Sequence, residues 1–154
     1  MDINKLRLIG KTSYLIASSE KFLSTDEFLD AIALQLENGI EVIELRENNN
    51  AKNTIEYGKR IRELCSIYNA LFIVYDRIDI AQIIHADGVY IPENGIDIDI
   101  AREFLGKNII IGTKADSEKQ IQEIIAKGAD FVLYDKTPIN TDKIHYFKTI
   151  KKLF

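Results

Sequence analysis

Gly39-Ile40-Glu41-Val42-Ile43 reads as a glycine ending a helix, a turn, and the start of a β run, and the chain echoes it. Gly128-Ala129-Asp130-Phe131-Val132 repeats the pattern, and Ala86-Asp87-Gly88-Val89-Tyr90 is a looser version. Glycine in such a place supplies the left-handed cap that turns the chain back toward a sheet. Outward from these points, strands are expected at Ser13–Ala17, Glu41–Arg46, Leu71–Tyr75, Gly88–Ile91, Ile109–Gly112 and Phe131–Tyr134. Helical patterns fill the gaps. One opens at the capping-box stretch Ser24-Thr25-Asp26-Glu27, one runs from the polar loop Glu47–Asn53 to about Tyr68, and others cover Asp79–Ile84 and Ile98–Leu105. A further helix opens at Ser117 with Gln120 three residues on, and Thr141 to the C-terminus reads as the last. Strand–helix alternation of this kind argues for parallel βαβ units. The fold expected is α/β and TIM-barrel-like, incomplete, with about six βα units in one domain over residues 1–154. A closed eight-unit barrel usually needs about 200 residues or more.

Composition sets the outer bounds. The 154 residues are 46% hydrophobic and 29% charged with a formal charge of −4, ordinary for a globular core. No basic stripe is present, which argues against nucleic acid as a partner. No apolar run approaches the ~18 residues of a membrane span, and the N-terminus lacks a signal-peptide core. The one cysteine, Cys65, excludes an internal disulfide and suits a reducing cytoplasm. It falls in register with Ile61, Leu64 and Tyr68, as a packing thiol would. His85 ends a helix on the lower face, and His145 reads as a surface residue of the last helix. No Gly-rich phosphate loop, CxxC or metal-ligand cluster stands out.

Chemistry in a βα barrel belongs at the carboxyl ends of its strands, while the lower end is the stabilising face. Side chains alternate along a strand, so Glu44 and Arg46 share a face opposite Ile43 and Leu45. If the hydrophobic pair meets the helices, the charged pair points into the barrel near its mouth. Two readings stand there: the charges satisfy each other inside the barrel layer, or Arg46 binds an anion. Asp76 ends the third strand, where it could ligate Mg²⁺, cap the next helix or pair with Arg77. Lys114 and Lys136 follow the fifth and sixth strands, and Lys143 opens the last helix. With Arg46 they form a candidate cationic ring around a phosphate, against the plain alternative of solvated lysines. A Schiff-base role for Lys114 needs a dry pocket.

The stretch Gly39–Glu47 resembles the Leu-Arg-Glu-Lys strand of thiamine phosphate synthases and their TenI-type relatives. Phe72-Ile73-Val74-Tyr75-Asp76-Arg77-Ile78-Asp79-Ile80-Ala81 is similar to that family's Ile-Asn-Asp-Arg-Val-Asp-Leu-Ala segment, and Ala86–Ile91 to its Ala-Asp-Gly-Val-His-Leu. Ala101-Arg102, Ile110-Ile111-Gly112 and Gly128–Phe131 follow in order, so the resemblance covers about residues 13–143. It implies a (β/α)₈-type barrel that joins a hydroxymethylpyrimidine diphosphate to a thiazole phosphate, releasing pyrophosphate with Mg²⁺. It implies Arg46 and Lys143 as catalytic residues, Glu44, Arg46, Tyr75, Lys114 and Lys143 as substrate-binding positions, and Asp76 as a magnesium ligand.

The chain also departs from the family. Asn48 replaces the lysine after Leu-Arg-Glu, Tyr75 the asparagine before the metal aspartate, and Gly95 the second metal aspartate, unless Asp97 substitutes after a shift. Lys114 stands for the serine of Gly-x-Ser, Asn140 and Asp142 for the threonines before the closing lysine, and about Asp116 for the TenI-type histidine. The expectation is therefore a transferase of thiamine biosynthesis. Its alternatives are a catalytically inactive homologue binding a phosphorylated pyrimidine or thiazole, or another small barrel enzyme. An edge left open by unsupplied last strands would expose backbone groups. Two remedies are expected: Lys5–Gly10 adds a strand, or two copies pack edge to edge as a homodimer.

Overall fold

The computed structural model describes residues 2–47, 50–137 and 142–154. Along the chain it forms α1 (Ile3–Leu8), β1 (Ser13–Ala17), α2 (Thr25–Glu37), β2 (Val42–Leu45), α3 (Ala51–Tyr68), β3 (Leu71–Tyr75) and α4 (Ile78–Ile83). Then come β4 (Gly88–Tyr90), α5 (Ile98–Leu105), β5 (Ile110–Lys114), α6 (Glu118–Lys127), β6 (Phe131–Leu133), β7 (His145–Tyr146) and β8 (Thr149–Leu153). All eight strands lie in one parallel sheet, ordered β7-β6-β5-β4-β3-β2-β1-β8. This is the TIM-barrel-like α/β fold the alternation predicts.

Period-two alternation divides the apolar residues into two cores. Leu15, Ile43, Leu45, Phe72, Val74, Val89, Ile111 and Val132 face outward onto Phe28, Ile32, Ile61, Ile80 and Ile121 of the helices. Tyr14, Ile16, Val42, Ile73, Tyr90, Ile110 and Phe131 fill the inside of the curl. Two inward positions tolerate no side chain. A Cβ on Gly112 would sit 2.0 Å from the Phe131 ring, and one on Gly88 2.4 Å from the Ile110 carbonyl oxygen.

The repeated acidic position before the even-numbered strands has a common physical role. Glu41 Oε1 accepts from the backbone N–H of Thr12 and Ser13, at 2.9 and 3.2 Å, at the foot of β1. Asp87 Oδ2 accepts from Phe72 N–H of β3 at 2.7 Å, and Asp130 Oδ2 from Ile111 N–H of β5 at 2.9 Å. Each acid ties its own strand to the preceding one. Arg62 and Arg7 flank Asp87, and Arg102 flanks Asp130 at 2.6 Å.

Two expectations are corrected. Lys5–Gly10 adds no strand: α1 is a helix capped by Asp2, and it stoppers the lower end, with Leu8 in the inner core. Asn4 anchors it by donating Nδ2–H to the carbonyls of Lys107 and Ile109, at 2.7 and 3.2 Å. The expected last helix is also absent. Thr141 lies outside the described residues, but His145–Tyr146 pairs with β6 and Thr149–Leu153 with β1. One continuous stretch thus touches both edges of the six-strand sheet. Between its two halves, the N–H groups of Lys148 and Thr149 both donate to Thr12 O, at 2.9 and 3.0 Å. That shared acceptor ties the segment between β7 and β8 to the start of β1. β8 also pairs the β1 edge within the chain. A smaller difference is that α3 starts at Ala51, inside the expected loop.

Candidate active site

Arg46 follows β2 directly, its backbone N–H held by Ala17 O at 2.8 Å. The alternation places it and Glu44 on the inner face. Glu44 is fully buried. Its Oε2 accepts from Arg46 Nε at 2.6 Å, and its Oε1 from Arg46 Nη2 at 3.1 Å and from the Tyr14 hydroxyl at 2.5 Å. Burial pushes the Glu44 carboxyl above its ordinary value, against the pull of Arg46 and of the Tyr14 hydroxyl. The Tyr14 phenol is driven well up by its own burial and by Glu44. Burial opposes the charge on Arg46, but the Glu44 carboxylate prevails and raises the guanidinium above its usual value.

Two tyrosines complete the platform. Tyr75 and Tyr90 lie nearly parallel, at 15° with centroids 5.8 Å apart, and the Arg46 guanidinium sits 4.4 and 5.0 Å from the two rings. A cation over aromatic faces is attracted by their quadrupoles. Burial pushes the Tyr90 phenol to about 12, so it is a neutral donor near neutral pH. All three side chains line a cleft of about 340 Å³ at the carboxyl ends of the strands, with Gly95, Thr113 and Lys114 on its walls. Acidic Glu93, Asp97, Asp116 and Glu123 line it too.

Asp76 stands beside this cleft, next to Tyr75. It adopts a left-handed conformation, φ 64°, which non-glycine residues visit rarely and at some cost. Arg77 pairs directly with Asp79 at 2.8 Å and also feels the Asp76 charge, and α4 lacks a side-chain cap. Its carboxylate faces Gly95, where an added Cβ would lie 3.1 Å from Asp76 Oδ1. Position 95 is thus spatially right for a second metal aspartate, and glycine leaves Asp76 without that companion. Among the described residues no three His, Cys, Asp or Glu side chains group as metal ligands. Magnesium commonly binds through one or two carboxylates plus substrate phosphates. Asp76 is one carboxylate that could hold such an ion, and alone it makes no resident cage.

The remaining candidates separate. Lys114 reaches the cleft, but it is 65% exposed and 3.6 Å from Asp116, in open water rather than the dry pocket a Schiff base needs. Lys136 Nζ donates to Asp116 O at 3.3 Å. Lys143 is not at the mouth. It lines a different cavity with Lys5 and Leu8 of α1, Gly128 and Asp130, at the lower end. The cationic ring of Arg46, Lys114 and Lys143 is not assembled, because the chain enters β7 from below just after Lys143. Glu44 is fully buried, with both oxygens accepting hydrogen bonds inside the protein. His145 is half-buried in β7 with Nε2 2.7 Å from Lys11 O, and His85 closes α4. Cys65 is buried, its thiol pushed to about 12 by that burial. Asn48 and Asn140 lie outside the described residues. Sequence reasoning missed Tyr14 and Tyr90. Inward alternation from Glu44 and Gly88 was the available signal for both.

Comparison with known proteins converges. The family model described as thiamine monophosphate synthase matches residues 13–143. Thiamine-phosphate synthase of Dictyoglomus turgidum is 34% identical over 83% of this chain, and that of Dictyoglomus thermophilum 37% over the same share. The chain covers 58% of each of these relatives, so it spans under two thirds of their length. Thiamine phosphate pyrophosphorylase from Pyrococcus furiosus superposes with a TM-score of 0.73 at 30% identity, covering 90% of this chain and 65% of that one. The two cores, the strand order and the matched segments agree with these likenesses, and the chain belongs to the thiamine monophosphate synthase family.

Proposed function

We propose that this chain is a thiamine phosphate synthase-like protein of thiamine biosynthesis, a cytoplasmic transferase working as one domain over residues 1–154. It couples hydroxymethylpyrimidine diphosphate to thiazole phosphate and releases pyrophosphate. The observation that supports this reading is Arg46, fixed by Glu44 and laid over Tyr75 and Tyr90 at the mouth of the cleft. An oriented guanidinium presents N–H donors that match phosphate geometry, and its charge stabilises a departing diphosphate without reorganisation. Tyr75 offers an aromatic surface to a pyrimidine, Lys114 adds a mobile cation, and Asp76 ligates the Mg²⁺ that arrives with the diphosphate. Lys143, at the opposite end, has no part in this scheme.

A second reading is supported by Gly95 beside Asp76 and by the distance of Lys143 from the cleft: an inactive homologue that binds a phosphorylated pyrimidine or thiazole. Incubation with both substrates and Mg²⁺, followed by chromatography for thiamine phosphate, separates the two. Product from the native chain, lost by at least about 100-fold in Arg46→Gln, is expected. Thermal stabilisation by pyrophosphate without product would favour the inactive binder. Neither product nor stabilisation would overturn both.

A further inference from the structure

We infer that Glu44 is a built-in counter-ion that orients Arg46 and cancels much of its charge, so that the cleft holds diphosphate weakly enough to release it. This rests on the reading of Arg46 as an anion-binding residue. The geometry carries the rest. Glu44 is fully buried, and both its oxygens are taken, by two nitrogens of Arg46 and by Tyr14. It is therefore a positioning residue. The side-on pairing fixes the plane of the guanidinium, and Tyr14 fixes the carboxylate in turn.

The charge has a separate consequence. A buried carboxylate persists as an anion only with a partner, and Arg46 provides it. An anion approaching the far side of Arg46 at about 4 Å meets the Glu44 charge at about 8 Å, so the net attraction is roughly half that of a free guanidinium. Lys114 is likewise screened, by Asp116 at 3.6 Å. The cleft thus recognises an anion more through aimed N–H groups than through net positive charge. Glutamine keeps the size of glutamate and one acceptor oxygen while removing the charge; its amide nitrogen gives up one of the two Arg46 hydrogen bonds, so any tightening of anion binding arises despite a looser hold on Arg46.

Calorimetric titration with inorganic pyrophosphate, without magnesium, tests this on the native chain, Glu44→Gln, Arg46→Gln and the double variant. Near-UV circular dichroism confirms that each variant is folded. Glu44→Gln is expected to bind about tenfold more tightly. Arg46→Gln is expected to bind at least about tenfold more weakly, and adding Glu44→Gln to it should change little, because the two residues act as one unit. A residue with a purely structural role would not tighten binding on removal of its charge. Unchanged or weaker binding by Glu44→Gln, with Arg46→Gln impaired, overturns the inference alone. Unchanged binding by Arg46→Gln overturns the anion-site reading beneath it. Should Glu44→Gln fail to fold, the salt dependence of native binding decides: a shallow fall between low and moderate salt is expected, and a steep one refutes the counter-ion.

Discussion

His145 shows how one side chain registers its surroundings. Its Nε2 lies 2.7 Å from Lys11 O, and its ring stands edge-on to Phe147 at 4.8 Å. Burial holds the imidazole below its ordinary value. The unfolded chain therefore binds a proton near pH 6.5 that the folded chain declines, and stability falls as the pH drops below that point. His145→Gln keeps a donor toward Lys11 O and removes the titration. Urea midpoints measured from pH 7.5 to 5 should fall more for the native chain than for the variant; parallel curves would refute the assignment. At this scale much of the site was legible. Alternation alone placed Glu44 and Arg46 inward near the mouth, and the strand end placed Asp76 at the rim. What alternation does not reveal is occupancy. Only the Tyr14 hydroxyl and the two Arg46 nitrogens show that the Glu44 carboxylate is held within the protein. Lys143 was misplaced for a different reason: its position depends on where the following strand begins.

At the scale of elements, the acidic echo is the part of the sequence that translates most directly into structure. Glu41, Asp87 and Asp130 each fasten the foot of a preceding strand, and Asp130 accepts from three separate elements. It accepts from Ile111 N–H at 2.9 Å, from Arg102 Nη2 at 2.6 Å and from Asn4 Nδ2 at 3.3 Å, joining β5, α5 and α1. Asp130→Ala would leave those donors partly unmet and Arg102 without its counter-charge, which costs about 3 kcal/mol or more for a buried pair. Chemical denaturation should show a loss of that size, while pyrophosphate binding at the opposite end of the sheet persists in the folded fraction. A loss below about 1 kcal/mol would mean the clamp is ornamental. The capping boxes were equally legible: Ser24 Oγ accepts from Glu27 N–H and Ser117 Oγ from Gln120 N–H, both at 3.2 Å. The segment after Lys143 was not. Phe147, Ile150 and Phe154 recur at helical spacing, yet β1 presents a parallel edge whose hydrogen bonds outweigh so weak a local preference.

Closure belongs to the whole molecule. Residues 145–153 meet β6 with one end and β1 with the other, so a single stretch joins the first strand of the sheet to the sixth. Its outer half is exposed and carries Lys151 and Lys152, charges of the kind that discourage further pairing at a sheet edge. Strand β1 itself is almost wholly buried, from Tyr14 to Ala17. Removal of Thr149–Phe154 would therefore bare β1 backbone groups beside an apolar core and offer them to a second copy. Edge-to-edge association, expected from the sequence for the intact chain, becomes physically motivated for the shortened one. The 1–148 chain should melt at a lower temperature than the full chain, and its sedimentation coefficient should rise with concentration where that of the full chain does not. Because Arg46 directly follows β2 and Tyr75 and Tyr90 sit on β3 and β4, the cleft should survive in whatever fraction stays folded. If the 1–148 chain melts and sediments like the full one, β8 is a passive appendage and the sheet is stable as β7 to β1 with an open edge.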